Sequence, residues 1–141
     1  MKHMVKYTLV GYDGSDTARR AFTFAVELAR LAGGRVRVVN VLQVAEGGPD
    51  ASVLMMADGS TERSAALLAE LTELVPDAQS LIDIDIVHGS PGDALLTQVR
   101  QHGVDHVVIG HTERGALARW LLGSVSTDIL SKAHVPVTVI S

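Results

Sequence analysis

The sequence predicts an α/β protein: an open parallel sheet of five strands alternating with four helices. Three observations carry that expectation. Short apolar, β-branched runs recur along the chain, as in strands buried on both faces. Between them lie longer stretches whose apolar residues repeat at helical spacing, and such alternation is what a parallel sheet with helices on its faces requires. The 141 residues contain no composition break, repeat or low-complexity tract, so a single domain over residues 1–141 is expected, large enough to bury its own core.

The first strand is expected over residues 5–12. Asp13-Gly14-Ser15-Asp16 then supplies a turn and an N-cap, and Ala18, Ala21, Phe22, Ala25, Leu28 and Ala29 recur at helical spacing until Gly33-Gly34 ends the helix. Residues 35–42 form the second strand. Glu46-Gly47-Gly48-Pro49-Asp50 opens an irregular segment to about Gly59, after which Ala65, Leu68, Leu71 and Leu74 mark a second helix ending before Pro76. Ile82, Ile84 and Ile86 alternate with Asp83 and Asp85, a period of two that predicts a strand with one wet face at or near a sheet edge. Ser90-Pro91-Gly92-Asp93 combines an N-cap, a proline at the first helical position and an acid three residues after the cap, opening a helix through about His102. Residues 104–109 and 135–140 are the last two strands. Pro136 removes one ladder donor, so the fifth strand belongs at an edge or with that position unpaired. A final helix is expected to start at Ser124-Val125-Ser126-Thr127-Asp128-Ile129.

Composition excludes several classes of function. A net charge of −4 argues against a nucleic-acid partner, because duplex binding needs a basic face, and 4% aromatic content offers no stacking platform for single strands. The absence of cysteine removes disulfides, thiolate catalysis and cysteine-ligated zinc. No apolar run approaches the length of about 20 residues that a membrane span needs, and no secretory signal is visible, so a cytoplasmic protein without a membrane partner is expected. The six histidines lack compact metal-ligand spacing, and no metal site is expected among them.

The stretch from Gly110 to Ser124 holds most of the functional information. It links a buried strand to a helix start through about a dozen residues where such loops usually take about 2–6, and long loops are disproportionately functional. Gly123 and Ser124 stand where amides at a helix N-terminus face an anion, and glycine permits close backbone approach at Gly110 and Gly123. A phosphate-binding loop is the reading these residues support.

Together these segments resemble the universal stress protein family from the first strand to the last residue. The nucleotide-binding branch carries Gly, two residues, Gly, nine residues, then Gly followed by Ser or Thr; Gly110, Gly123 and Ser124 fit that spacing, with Glu113 at the second glycine. Further matching pieces are Val10-Gly11-Tyr12-Asp13-Gly14-Ser15, Asn40-Val41, Gly89-Ser90-Pro91 and His134-Val135-Pro136-Val137. The resemblance implies strand order 3-2-1-4-5 and an adenine nucleotide, ATP or a relative, with or without Mg²⁺, held where strands 1 and 4 diverge. It implies Asp13 at the ribose and phosphate region, the Val41 backbone at the adenine, Gly110 close to the ribose, and Gly123 and Ser124 at the phosphates. Tyr12, His111 and Val125, beside these positions, are the further candidates for nucleotide contact. It also implies a homodimer formed through the last strand. A carboxylate within about 4 Å of a phosphate costs up to roughly 4 kcal/mol at an effective dielectric near 20, so Glu113 is expected to weaken binding relative to glycine.

A regulatory nucleotide-binding protein in a stress response is therefore expected, with no catalytic residues: the loop contains no Gly-Lys-Ser/Thr, and no Gly-x-Ser-x-Gly nucleophile turn occurs. The alternatives are a slow ATP hydrolase, a nucleotide-free dimerisation module and a cyclic AMP binder.

Overall fold

The computed structural model describes residues 5–42, 60–110 and 132–141. In chain order these form β1 (Tyr7–Gly11), α1 (Asp16–Ala32), β2 (Arg35–Leu42), α2 (Ser60–Leu74), a 3₁₀ segment (Pro76–Leu81), β3 (Ile82–His88), α3 (Pro91–His102), β4 (His106–Gly110) and β5 (Val137–Ile140). All four strand pairings are parallel, and the sheet order is β3-β2-β1-β4-β5. The irregular segment expected to about Gly59, the loop beyond Gly110 and the start of the last helix at Ser124 lie outside the described residues.

Each face of the sheet carries its own core. Val10, Phe22, Val36, Val38, Leu71 and Val108 cluster under α1 and α2, while Leu9, Val39, Leu95, Val99, Val107 and Ile109 cluster under α3. Side chains alternate across a strand, so the neighbouring residues Leu9 and Val10 feed opposite cores, as in a strand covered on both faces.

The helices begin and end for local reasons. Ser15 caps α1 by accepting from the Ala18 N–H at 3.2 Å, and Gly33, at φ 68°, terminates it in the left-handed conformation. Val26 joins the expected apolar stripe of α1 as a buried residue, whereas Leu28 is only half-buried. In α2, Leu71 is buried and Leu67 and Leu68 pack on the core, but Ala65 and Leu74 are exposed, so the buried face is narrower than its spacing implied. Ser90 occupies the N-cap of α3 without a side-chain capping bond; Pro91 at the first position opens the helix there.

Strand boundaries shrink where side chains replace the ladder. The Asp105 carboxylate accepts from the Lys6 and Tyr7 amides at 2.9 and 3.0 Å, tying residues just before β1 and β4 together. At the far edge Pro136 stands outside β5, and its carbonyl accepts from the Val107 N–H at 2.9 Å. β5 lies at the outer edge of the sheet, one of the two arrangements expected from Pro136, although the proline itself stands just before the strand. β3 forms the other edge, and its acidic face is wet, as expected, but also ion-paired. Asp83 pairs with Arg35 and Asp85 with Arg37, each at 2.8 Å, and Gln98 of α3 bonds both members of the second pair. The Arg35 guanidinium, ahead of burial, sets the balance that holds the Asp83 carboxyl below its ordinary range.

His106, on β4, is 4% exposed. Its Nδ1 lies 3.2 Å from Thr8 Oγ1 and its Nε2 2.8 Å from Thr138 Oγ1, so one imidazole links β1, β4 and β5. Burial lowers its pKa, opposed by the nearby Asp105 carboxylate. A depressed folded-state pKa means that the unfolded chain binds the proton more readily. Stability contributed by neutral His106 is complete above the unfolded value of about 6.5 and falls as the pH drops towards the folded value. Urea midpoints should therefore decline between pH 7.5 and 5.5, and decline less in His106→Asn; equal slopes in both proteins would refute this role.

Candidate functional site

The strand order reverses between β1 and β4. From β1 the chain moves outward to β2 and β3, then crosses back to β4 on the opposite side of β1. In open α/β sheets a crevice forms at such a reversal, beyond the carboxyl ends of the strands. Gly11 stands in register with Ile109, so the Tyr12-Asp13-Gly14 turn and Gly110 leave the sheet side by side. Periodicity alone could not establish that adjacency.

Gly110 is a glycine for a reason internal to the fold. A Cβ there would lie 2.6 Å from the Thr17 carbonyl carbon, 2.7 Å from its Oγ1 and 2.8 Å from its carbonyl oxygen. The bare α-carbon lets the first turn of α1 close on the end of β4. That turn brings the positive end of the helix to the strand reversal.

Asp13 is exposed, and its Oδ1 accepts from the Ser15 N–H at 3.0 Å. This Asx-type turn presents the capping serine, while Oδ2 has no protein partner among the described residues. Gly14, at φ 82°, supplies the left-handed step between them.

Tyr12 has every polar atom occupied by the protein. Its ring is buried edge-on to Phe22, with centroids 6.5 Å apart, and its hydroxyl donates to Glu70 of α2. Burial and then the Glu70 contact push its pKa up to about 12. Its N–H donates to the Val39 carbonyl at 2.9 Å, and its carbonyl accepts from Asn40 Nδ2 at 2.8 Å. Tyr12 thus anchors the turn that carries Asp13.

Val41 is the reverse case. Alternate residues of a strand turn their N–H and C=O to opposite sides. The Val39 carbonyl bonds β1 and the Leu42 carbonyl accepts from Gly89 beyond β3, so Val41 directs both groups towards β1. β1 has ended by that level, and no hydrogen bond joins Val41 to it among the described residues. One donor and one acceptor therefore face the crevice together.

Two hollows flank this end of the sheet. One of about 240 Å³ lies under α2 and is lined by Tyr12, Asp13, Asn40, Arg63, Glu70 and Ile86. Another of about 310 Å³ lies at the start of α3, where His88 Nε2 is buried without a hydrogen-bond partner among the described residues. Among the described residues no three His, Asp or Glu groups converge in a way that would hold a metal ion.

Of the residues singled out from sequence, Tyr12, Asp13, Val41 and Gly110 come together at this end of the sheet. His111, Gly123, Ser124 and Val125, with Glu113, lie outside the described residues. Asn40 and Thr17 received no role from sequence. Asn40 could have been noticed as a lone amide in the apolar run Val38-Val39-Asn40-Val41, since a half-buried amide at a strand end signals a side-chain bond to the backbone. Thr17 carries no sequence signal, because what matters is where its backbone lies.

The family model described as "Universal stress protein family" matches residues 4–141. A universal stress protein of Thermus aquaticus is 30% identical over 142 residues, covering 97% of this chain and 99% of the relative. The solved structure of universal stress protein UspA from Lactobacillus plantarum superposes with a TM-score of 0.74 at 24% identity, over 99% of this chain and 100% of that one. A universal stress protein in complex with cAMP gives 0.71 at 23% identity, over 99% of both chains. The Archaeoglobus fulgidus protein in complex with dAMP gives 0.63 at 23%, over 99% of this chain and 100% of that one.

Proposed function

The chain belongs to the universal stress protein family, and on that premise we propose that it is a regulatory protein that binds an adenine nucleotide, ATP or a close relative, without turning it over. The observation that carries this reading is the outward-facing N–H and C=O of Val41 at the strand reversal. Adenine presents an acceptor at N1 beside a donor at N6, the complement of that pair. cAMP and dAMP, bound by two structural neighbours, differ in sugar and phosphate but share this base. Asp13 Oδ2 would accept from the ribose hydroxyls, and Gly123 and Ser124, by the family resemblance, would hold the phosphates, with His111 and Val125 as neighbouring contacts. A Mg²⁺ ion, when present, would arrive with the phosphates.

Binding rather than turnover is favoured by the sequence, which has no Gly-Lys-Ser/Thr in the loop and no Gly-x-Ser-x-Gly turn, and by Glu70, which is engaged by Tyr12. β5, an edge strand with Val139 45% exposed, supports a homodimer formed along it. A cytoplasmic role in a stress response completes the proposal.

The test is to denature purified protein, assay the supernatant for nucleotide, and follow thermal unfolding with ATP, ADP, AMP and cyclic AMP. ATP in the supernatant, or a stabilisation of about 2.7 kcal/mol at a ligand concentration 100 times Kd, is the expected result. ADP alone would point instead to slow hydrolysis. An empty supernatant with no thermal shift from any of the four would overturn the proposal in favour of a nucleotide-free dimerisation module.

A further inference from the structure

We propose that Asn40 is a positioning residue that keeps the Val41 backbone open, and that it thereby sets the preference of the crevice for adenine over guanine. The argument starts from the ladder between β1 and β2. The Tyr12 N–H donates to the Val39 carbonyl. In a parallel ladder the next rung would run from the Val41 N–H to the Tyr12 carbonyl. Among the described residues that rung does not form, and the Tyr12 carbonyl accepts instead from Asn40 Nδ2 at 2.8 Å. A carbonyl oxygen has two lone pairs, so in the proposal Asn40 acts by holding the Tyr12 carbonyl turned towards its own amide and away from the Val41 N–H. Zipping stops one rung early, and a strand end that would have closed on itself keeps a donor and an acceptor in hand.

The selectivity claim rests on the proposed adenine site; the positioning claim does not. With its N–H released, Val41 offers a donor and an acceptor, matching N1 and N6 of adenine. Guanine presents N1–H and O6 at the corresponding places, so donor meets donor and acceptor meets acceptor. If the Tyr12 carbonyl captured the Val41 N–H, the adenine bond to N1 would be lost and guanine would be no worse off. Asn40 is half-buried, on the wall of the hollow under α2, and its amide is engaged by the Tyr12 carbonyl.

Two variants test this. Asn40→Leu removes the donor with similar volume, and Asn40→Asp, at pH 7.5, replaces it with an acceptor-only group should the leucine variant fail to fold. Amide hydrogen exchange of the ligand-free protein, followed by NMR, reads Val41 directly. In the wild type this amide should exchange rapidly, unlike the neighbouring β2 amides, and in either variant it should become protected at least tenfold. Calorimetric titration should show ATP affinity falling about tenfold, the value of one hydrogen bond, with GTP affinity unchanged. Equal Val41 protection in wild type and variants would overturn the role of Asn40, whatever the protein binds. Wild-type protein that shows the exchange difference but binds no adenine nucleotide would leave the positioning role standing and refute the adenine site and the selectivity claim. Equal losses for ATP and GTP would refute the selectivity claim alone.

Discussion

Gly110→Ala lowers the thermal unfolding midpoint by about 10 °C, a loss of roughly 3 kcal/mol at the upper end of the range for overpacking. The reason is the identity of the atoms in the way. The new methyl would lie 2.6 Å from a backbone carbonyl carbon of Thr17 and 2.8 Å from its oxygen, and neither can rotate aside as a flexible side chain could. Relief requires α1 to move off β4. α1 contributes six buried residues, among them Phe22, Ala25 and Val26, so that movement opens the core under it. The same displacement carries Ser15 and the Asp13 turn away from the strand reversal. Urea titration should show a lower midpoint with an unchanged slope, and nucleotide binding should weaken in the protein that remains folded. An unaltered midpoint would mean that α1 is not seated on β4 as described.

The second large effect concerns the polar layer between the sheet and α3. Arg37 is 12% exposed at its side chain and donates to Asp85, Gln98 and the Tyr7 hydroxyl, while Gln98 in turn donates to Asp85. Asp85→Ala should cost about 2 kcal/mol. Removing one partner of a fully buried pair costs about 3–5 kcal/mol, and the 36% exposure of the Asp85 side chain lets water replace part of what is lost. Arg37→Met leaves Asp85 able to turn to solvent and should cost less. The double variant should be more stable than the sum of the single losses implies, by at least about 1 kcal/mol, because no charge is then stranded. Additive losses in the double-mutant cycle would show that the guanidinium and the carboxylate are energetically independent.

These two sites show where sequence reasoning reaches and where it stops. Ile82, Ile84 and Ile86 alternate with Asp83 and Asp85, and that pattern correctly implied a strand at an edge. The wet face that the pattern implied is there, with the Asp83 and Asp85 side chains 39% and 36% exposed, but each acid also pairs with an arginine of β2 two positions before its register partner. Nothing local marks Arg35 and Arg37 as their partners, since strand pairing joins residues 48 positions apart. His106 belongs with them: on a strand read as wholly apolar it is buried, and its partners Thr8 and Thr138 lie 98 and 32 residues away.

By itself the sequence determined the number and kind of strands, the three described helices, and the two strand ends that carry the candidate site. Those features follow from periodicity, capping and turn residues, all of which act within a few residues. Strand order 3-2-1-4-5 was implied by the family resemblance rather than by the pattern. Only the tertiary structure decided that β1 and β4 are neighbours, that Gly110 yields its space to Thr17, and that Asn40 takes a carbonyl which would otherwise close over Val41. Each of these depends on which backbone comes to lie beside a residue, and a linear pattern of side chains does not encode that.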